Sequence, residues 1–256
     1  MTEIMTNTHP KFNFDHHITG LFSMYLSTIK LHTTILESNL DKITLPAFRR
    51  ILLSLNNWSR EDQEFKQIYK IAVLYCEYCN PIYNQSKSTL EKILDDEDLP
   101  IIEYALSLIS DLNYTKFADY TIGYLDADRY PPNITKTATN TLRHFIYLDP
   151  TLSINLAKEH SLWTKNIKYP LIKLLAETKQ QPILPFLHTQ LNSKHPTVHH
   201  STILDYLHYF KHYSSLPILL KFTEDNNSTN TLGDYEKANK IIADICLKIH
   251  TRFYPE

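Results

Sequence analysis

Apolar residues recur at three- and four-residue spacing along most of the 256-residue chain, the period of a helix that buries one face. Leu21, Met24, Tyr25, Thr28 and Ile29 form one such stripe, and Phe48, Ile51, Leu52 and Leu55 the next. Ile68, Ala72, Leu74 and Tyr75 follow, then Ile102, Ala105, Leu106 and Ile109. Breakers interrupt the pattern at Asn80-Pro81, Leu99-Pro100, Pro131-Pro132, Asp149-Pro150, Gln181-Pro182, His195-Pro196 and Leu216-Pro217. Proline suits a first helical turn and not an interior, so several of these mark helix starts. No sustained strand alternation bounded by hairpin turns is present. The pattern predicts an all-α fold of about a dozen helices, each roughly 10–18 residues long.

An internal period organises those helices. An offset of 32 aligns Tyr120, Leu152, Leu184 and Leu216, and also Ile122, Ile154, Phe186 and Ile218, with Leu90 one unit earlier. In the preceding helix of each unit Ile102, Ile134 and Val198 match, while Asn166 breaks the column. Leu74, Leu106, Ala138, Pro170 and Thr202 make a second column that shrinks from large to small, and Pro150/Pro182 and Pro185/Pro217 keep the same register. Each unit reads as an antiparallel helix pair, clearest at 98–128, 131–162, 165–193 and 196–224, with a further one at 62–96. A pair cannot bury both flanks by itself, and stacked neighbours complete the core. The expectation is one right-handed α-solenoid with a repeat of about 32 residues. It would comprise a flexible segment 1–14 and a single domain 15–256: a diverged cap at 15–58, repeats over 62–224 and a closing helix at 232–253. Tyr235, Ala238, Ile241, Ile242, Ile245 and Ile249 mark the apolar face of that last helix, which follows the polar connection Thr223 to Leu232.

Segments such as HPTVHHSTILDYLHYFKHYSSLPILLKF and PPNITKTATNTLRHFIYLDPTLSINLAKEH resemble HEAT-like repeats, two-helix units opened by a proline or polar turn. The resemblance covers most of residues 62–224. It departs from the family at the Asp/Arg positions common there, since Arg143 stands alone. Tetratricopeptide repeats are the structural alternative, with poorly matched small-residue columns. HEAT-like resemblance implies a curved surface that holds a partner, and no particular activity.

Composition narrows the chemistry. Only 3 glycines occur, Gly20, Gly123 and Gly233, so the clustered glycines of a Rossmann fold, a phosphate loop or a hydrolase elbow are excluded. With 26 Lys+Arg against 28 Asp+Glu the chain has a formal charge of −2, and no overall cationic field favours nucleic acid. The longest apolar run, Ile71 to Cys76, is too short to cross a membrane. Met1 to Asp15 lacks the basic start and apolar middle of a secretory signal. Cys76, Cys79 and Cys246 suit a reducing compartment, so a cytoplasmic location is expected.

Four groupings could carry chemistry. His195, His199, His200, His208 and His212 fall in one unit, near Asp205, and i,i+4 histidine pairs can chelate zinc. Pro196 pushes His195 out of helical conformation, and no His-Glu-x-x-His pattern exists, so no metal is expected. Cys76-Glu-Tyr-Cys79 ends a helix, where the dipole acts against a reactive thiolate, and reads as packing. Asp95-Asp96-Glu97-Asp98 sits at a junction where Glu97 or Asp98 would cap the next helix, an acidic loop for a basic partner being the alternative. Trp163 with Lys158, Lys165, Lys168, Lys173 and Lys179 invites comparison with HEAT-like DNA glycosylases, but Glu159 and Glu177 interrupt those cations.

The function expected from the sequence is therefore a non-catalytic protein–protein interaction module without cofactor. It would be an adaptor or a bacterial immunity-type neutralising protein, with a nucleic-acid binder or glycosylase-type enzyme as the alternative. The second helix of each unit would line the concave face, as the resemblance implies. On it Asn155, Lys158, Glu159, Thr189, Gln190, Lys221 and Glu224 would meet the partner: a set mixed in sign that suits protein better than phosphate.

Overall fold

The computed structural model describes residues 14–79, 90–95, 98–159, 164–193, 198–224 and 231–253. All regular structure in them is helical: α1 (Phe14–Gly20), α2 (Leu26–Glu37), α3 (Leu45–Ser54), α4 (Gln63–Cys79), a helical stretch at 90–94, α5 (Leu99–Asp111), α6 (Ala118–Gly123), α7 (Pro132–Leu148), α8 (Pro150–Glu159), α9 (Lys165–Glu177), α10 (Leu184–Leu191), α11 (His200–Phe210), α12 (Leu216–Glu224) and α13 (Leu232–Phe253). None is long and apolar enough to cross a membrane among the described residues.

Prolines open these helices, as their chemistry requires. One sits in the first turn of α3, α5, α7 and α10, and Pro150 begins α8. Pro170 stands inside α9 instead, where it removes one backbone donor. The ends of α5, α9 and α11 share a different device. Asn113, Lys179 and Lys211 follow them with positive φ of 57°, 55° and 44°, and a 3₁₀ turn begins two residues later in each case. Tyr114 N–H donates to Ile109 O and Gln180 N–H to Leu175 O, the long-range bonds that close such a helix end. α13 begins with a reciprocal cap: Asp234 Oδ2 accepts from Thr231 N–H at 2.9 Å, and Thr231 Oγ1 accepts from Asp234 N–H at 3.3 Å.

The chain groups into two compact units that divide between Tyr114 and Thr115, inside the 98–128 pair drawn from the sequence. In the first unit α4 packs on α2 and α3, and α3 on α5. Phe48, Ile51, Leu52, Ile68, Ile71 and Ala72 are fully buried there, with the Phe48 and Tyr75 rings 4.5 Å apart. Residues 15–58 hold three α-helices rather than one pair. The stripe from Leu21 to Ile29 is not one helix: α1 ends at Gly20, Ser23 Oγ accepts from the Tyr25 N–H, and Met24 and Tyr25 are exposed. A polar residue that offers the backbone a local partner competes with helix continuation.

In the second unit α6 packs on α7, α7 on α8, α8 on α9, α10 on α11 and α12 on α13, and the first helices of the pairs expected from sequence also meet directly, α7 on α9, α9 on α11 and α11 on α13. Leu142, Leu171, Ile172, Leu175, Ile203, Leu204, Leu207, Ala238 and Ile241 fill the space between them. The second helices bury Ile122, Leu156, Leu187 and Leu219. The column Ile122, Ile154, Phe186, Ile218 is not uniformly buried, because Ile154 is exposed.

Candidate binding groove on the first helices

A cavity of about 580 Å³ lies along the first helices of the second unit. α7 contributes Lys136, Asn140 and Arg143, α9 contributes Tyr169, Lys173 and Glu177, and α11 contributes Tyr206. The three cations fall on it because α7 and α9 bury their opposite stripes, leaving their polar positions on one side. Glu177 organises the floor: its carboxylate accepts from Arg143 at 3.1 Å and lies 3.8 Å from Lys173 Nζ. Arg143 also donates to Asn140 Oδ1 at 3.0 Å, which fixes its planar head between two helices. One acid faces three bases, so the groove is locally positive on a chain whose total charge is slightly negative. Burial, reinforced by Glu177, pushes the Tyr206 hydroxyl up to about 12, so it remains a neutral donor at physiological pH.

Similar cross-helix contacts continue on the following first helices. Lys237 of α13 reaches Asp205 Oδ1 and Ser201 Oγ of α11, each at 2.8 Å, and Lys211 meets Asp244 Oδ2 at 2.7 Å. The Lys211 ammonium holds the Asp244 carboxyl below its usual range. A second hollow, of about 560 Å³, joins Lys211, His212, Lys248 and Arg252 to Ile245 and Ile249. The first unit has its own, of about 450 Å³, lined by Arg60, Phe65, Lys66, Tyr69, Lys70 and Asp111. There Tyr69 donates to Asp111 Oδ2 at 2.6 Å, and burial followed by that bond raises its pKa. Lys70 pairs with Glu37 of α2 at 3.1 Å.

The residues assigned to the partner from sequence lie on the second helices, away from this groove. Asn155 is exposed on α8, Thr189 is exposed and Gln190 half-buried on α10, and Lys221 and Glu224 are exposed on α12. Thr189 Oγ1 donates to its own helix at Pro185 O, 2.9 Å away. The side chains of Lys158 and Glu159 lie outside the described residues, as do Trp163, His195, Glu97 and the side chain of Lys165. The sequence reading weighed Lys173 and Glu177 only in the comparison with DNA glycosylases, and it did not join them to Lys136, Arg143, Tyr169 and Tyr206. The available signal was the pairing of Arg143 with Glu177, one unit further along.

The other groupings resolve into separate contacts. His200 is buried edge-on to Phe222, with Nε2 3.2 Å from Ser193 O, His208 Nδ1 lies 3.8 Å from Asp244, and His212 accepts from Ser214 N–H. Cys76 is buried and Cys79 half-buried at the end of α4, both as free thiols, and burial pushes both pKa values up. Asp98 occupies the N-cap position of α5 without a side-chain capping bond. Asp128 accepts from Asn166 Nδ2 at 2.7 Å, while Asp126 Oδ1 closes a local turn onto Asp128 N–H.

No protein-family model matches the chain, and no curated protein does. Among solved structures the chain is similar to YibA of Escherichia coli, a structural-genomics target, with 12% sequence identity over 91% of this chain and 93% of that one. The TM-score is 0.39, so the fold described above rests on its own helices.

Proposed function

We propose that this chain is a non-catalytic binding protein, a HEAT-like solenoid of stacked helix pairs that holds an acidic segment of a protein partner along α7, α9 and α11. The observation that carries this reading is the groove itself: Lys136, Arg143 and Lys173 face a single acid, Glu177, beside Tyr169 and Tyr206. Tyrosine and arginine contribute disproportionately to protein interfaces, because each combines apolar area with fixed donors. A phosphate polymer would need a longer row of unneutralised cations than this groove offers. Stacking of the first helices favours the solenoid over a closed bundle. So do the cross-helix partners Arg143–Glu177 and Lys237–Asp205, which stand 34 and 32 residues apart. In this proposal the first helices, rather than the second, present the binding face, since neighbours in the inner row of a curved stack approach more closely.

The experiment is affinity capture from native lysate with three baits: the wild type, Arg143→Glu/Lys173→Glu, and Lys221→Glu on α12. A protein retained by the wild type and Lys221→Glu, and lost with the groove variant, supports the proposal. Loss with Lys221→Glu alone would move the interface to the second helices. Capture of nucleic acid that survives the groove variant would overturn the reading.

A further inference from the structure

The first unit brings together three imidazoles that no sequence grouping connected. His16 and His17 stand on α1, and His32 reaches them from the buried face of α2. The ring centroids form a near-equilateral triangle, 5.4 Å for His16–His17 and 5.2 Å for each of the other two sides. His17 Nδ1 and His32 Nδ1 lie 2.9 Å apart, so one neutral ring donates to the other. His32 is only 6% exposed, yet His16 is exposed, which leaves the cluster open on one side.

The chain makes room for this arrangement. A Cβ at Gly20 would stand 2.0 Å from His32 Cδ2 and 2.3 Å from His32 Nε2, so the imidazole occupies the space that any other side chain would fill. The nearest carboxylate on α1, Asp15, is engaged with Arg50 at 2.9 Å. Apart from it the site offers imidazole nitrogen.

An ion held by three imidazoles at about 2.0–2.1 Å, with tetrahedral angles, places ring centroids roughly 5 Å apart. The triangle already has that spacing. Among the described residues no three ligands yet surround one point, because the His17 and His32 nitrogens face each other. We propose that His16, His17 and His32 form a binding site for a zinc-like divalent cation. The donor ring of the His17–His32 pair shifts its hydrogen from Nδ1 to Nε2, which frees both Nδ1 atoms without changing charge. The exposed His16 ring turns in as the third ligand, and water completes the tetrahedron.

The test uses the full chain stripped with EDTA and titrated with Co²⁺ in the visible range, then displaced with Zn²⁺. One equivalent of tetrahedral Co²⁺ should bind. His16→Ala and His17→Ala, checked for folding by circular dichroism, should each weaken binding by more than about tenfold, since even an outer-shell partner commonly accounts for that much. His208→Ala should leave the titration unchanged. The proposal is overturned if the wild type binds neither ion. It fails equally if His16→Ala and His17→Ala retain full affinity, or if His208→Ala abolishes binding.

Discussion

Replacing Glu177 by Gln removes the single charge that joins α7 to α9 across the groove and keeps the shape of the side chain. Two pairs are lost. Lys173–Glu177 is an i,i+4 pair at 3.8 Å with a well-exposed lysine, a geometry that contributes about 0.3–0.5 kcal/mol. Arg143–Glu177 is shorter, at 3.1 Å, and both side chains are roughly one-third exposed, so it belongs near the upper end of the 0.2–1 kcal/mol range of surface pairs. Arg143 keeps its bond to Asn140, and Lys173 is well exposed to water, so neither cation is left buried and uncompensated. The expected loss is about 1 kcal/mol, which for a chain of this size lowers Tm by roughly 2–4 °C. A double-mutant cycle with Arg143→Met, followed by urea unfolding, should return a coupling of about 0.5–1 kcal/mol that shrinks in 1 M salt. The same substitution should tighten binding of an acidic partner, because the groove loses its only opposing charge. A loss above about 3 kcal/mol would show a pair behaving as though buried, and a coupling indistinguishable from zero would remove the link between α7 and α9. Either result refutes the reasoning.

Three further outcomes follow from single positions. Gly20→Ala should destabilise by about 1–3 kcal/mol through overlap with His32, whereas Gly123→Ala, with nothing within 4 Å of the new carbon, should stabilise by up to about 1 kcal/mol; opposite shifts of the urea midpoint check both. His188 Nε2 lies 2.9 Å from the buried Ser215 Oγ, and burial followed by His212 lowers its pKa. The unfolded chain therefore takes up a proton near pH 6.5 before the folded chain does, and stability should fall as pH drops below about 6.5. His188→Gln should flatten that decline, and parallel pH slopes for both proteins would contradict the assignment. Asp234→Ala removes the reciprocal cap of α13 and should cost about 1–2 kcal/mol, read as loss of amide protection in the first turn of that helix.

Helical character was legible wherever an apolar stripe had no local competitor, as in α13, where Ala238, Ile241 and Ile245 are buried on the face their spacing predicts. It failed between Leu21 and Ile29, because periodicity does not register a serine hydroxyl that binds the backbone two residues on. The 32-residue offset put Ile154 in an apolar column, whereas α8 buries Leu156 and exposes Ile154. The groove was hidden for a related reason. Arg143 and Glu177 look like an isolated base and an interrupting acid until α7 and α9 lie side by side. Density along the sequence drew attention to the histidines after residue 194, but His16, His17 and His32 converge through the packing of α1 on α2.

The cross-helix partners also bear on how the sequence is free to drift. Lys70 reaches Glu37, Arg143 reaches Glu177, and Lys237 reaches Asp205, in each case a residue between 32 and 34 positions distant. A charge reversal at one end leaves two like charges facing each other, and a compensating reversal at the other end restores the attraction. Related chains should therefore carry sign-swapped pairs at these separations, so that lateral neighbours leave a trace in covariation even where single positions vary freely.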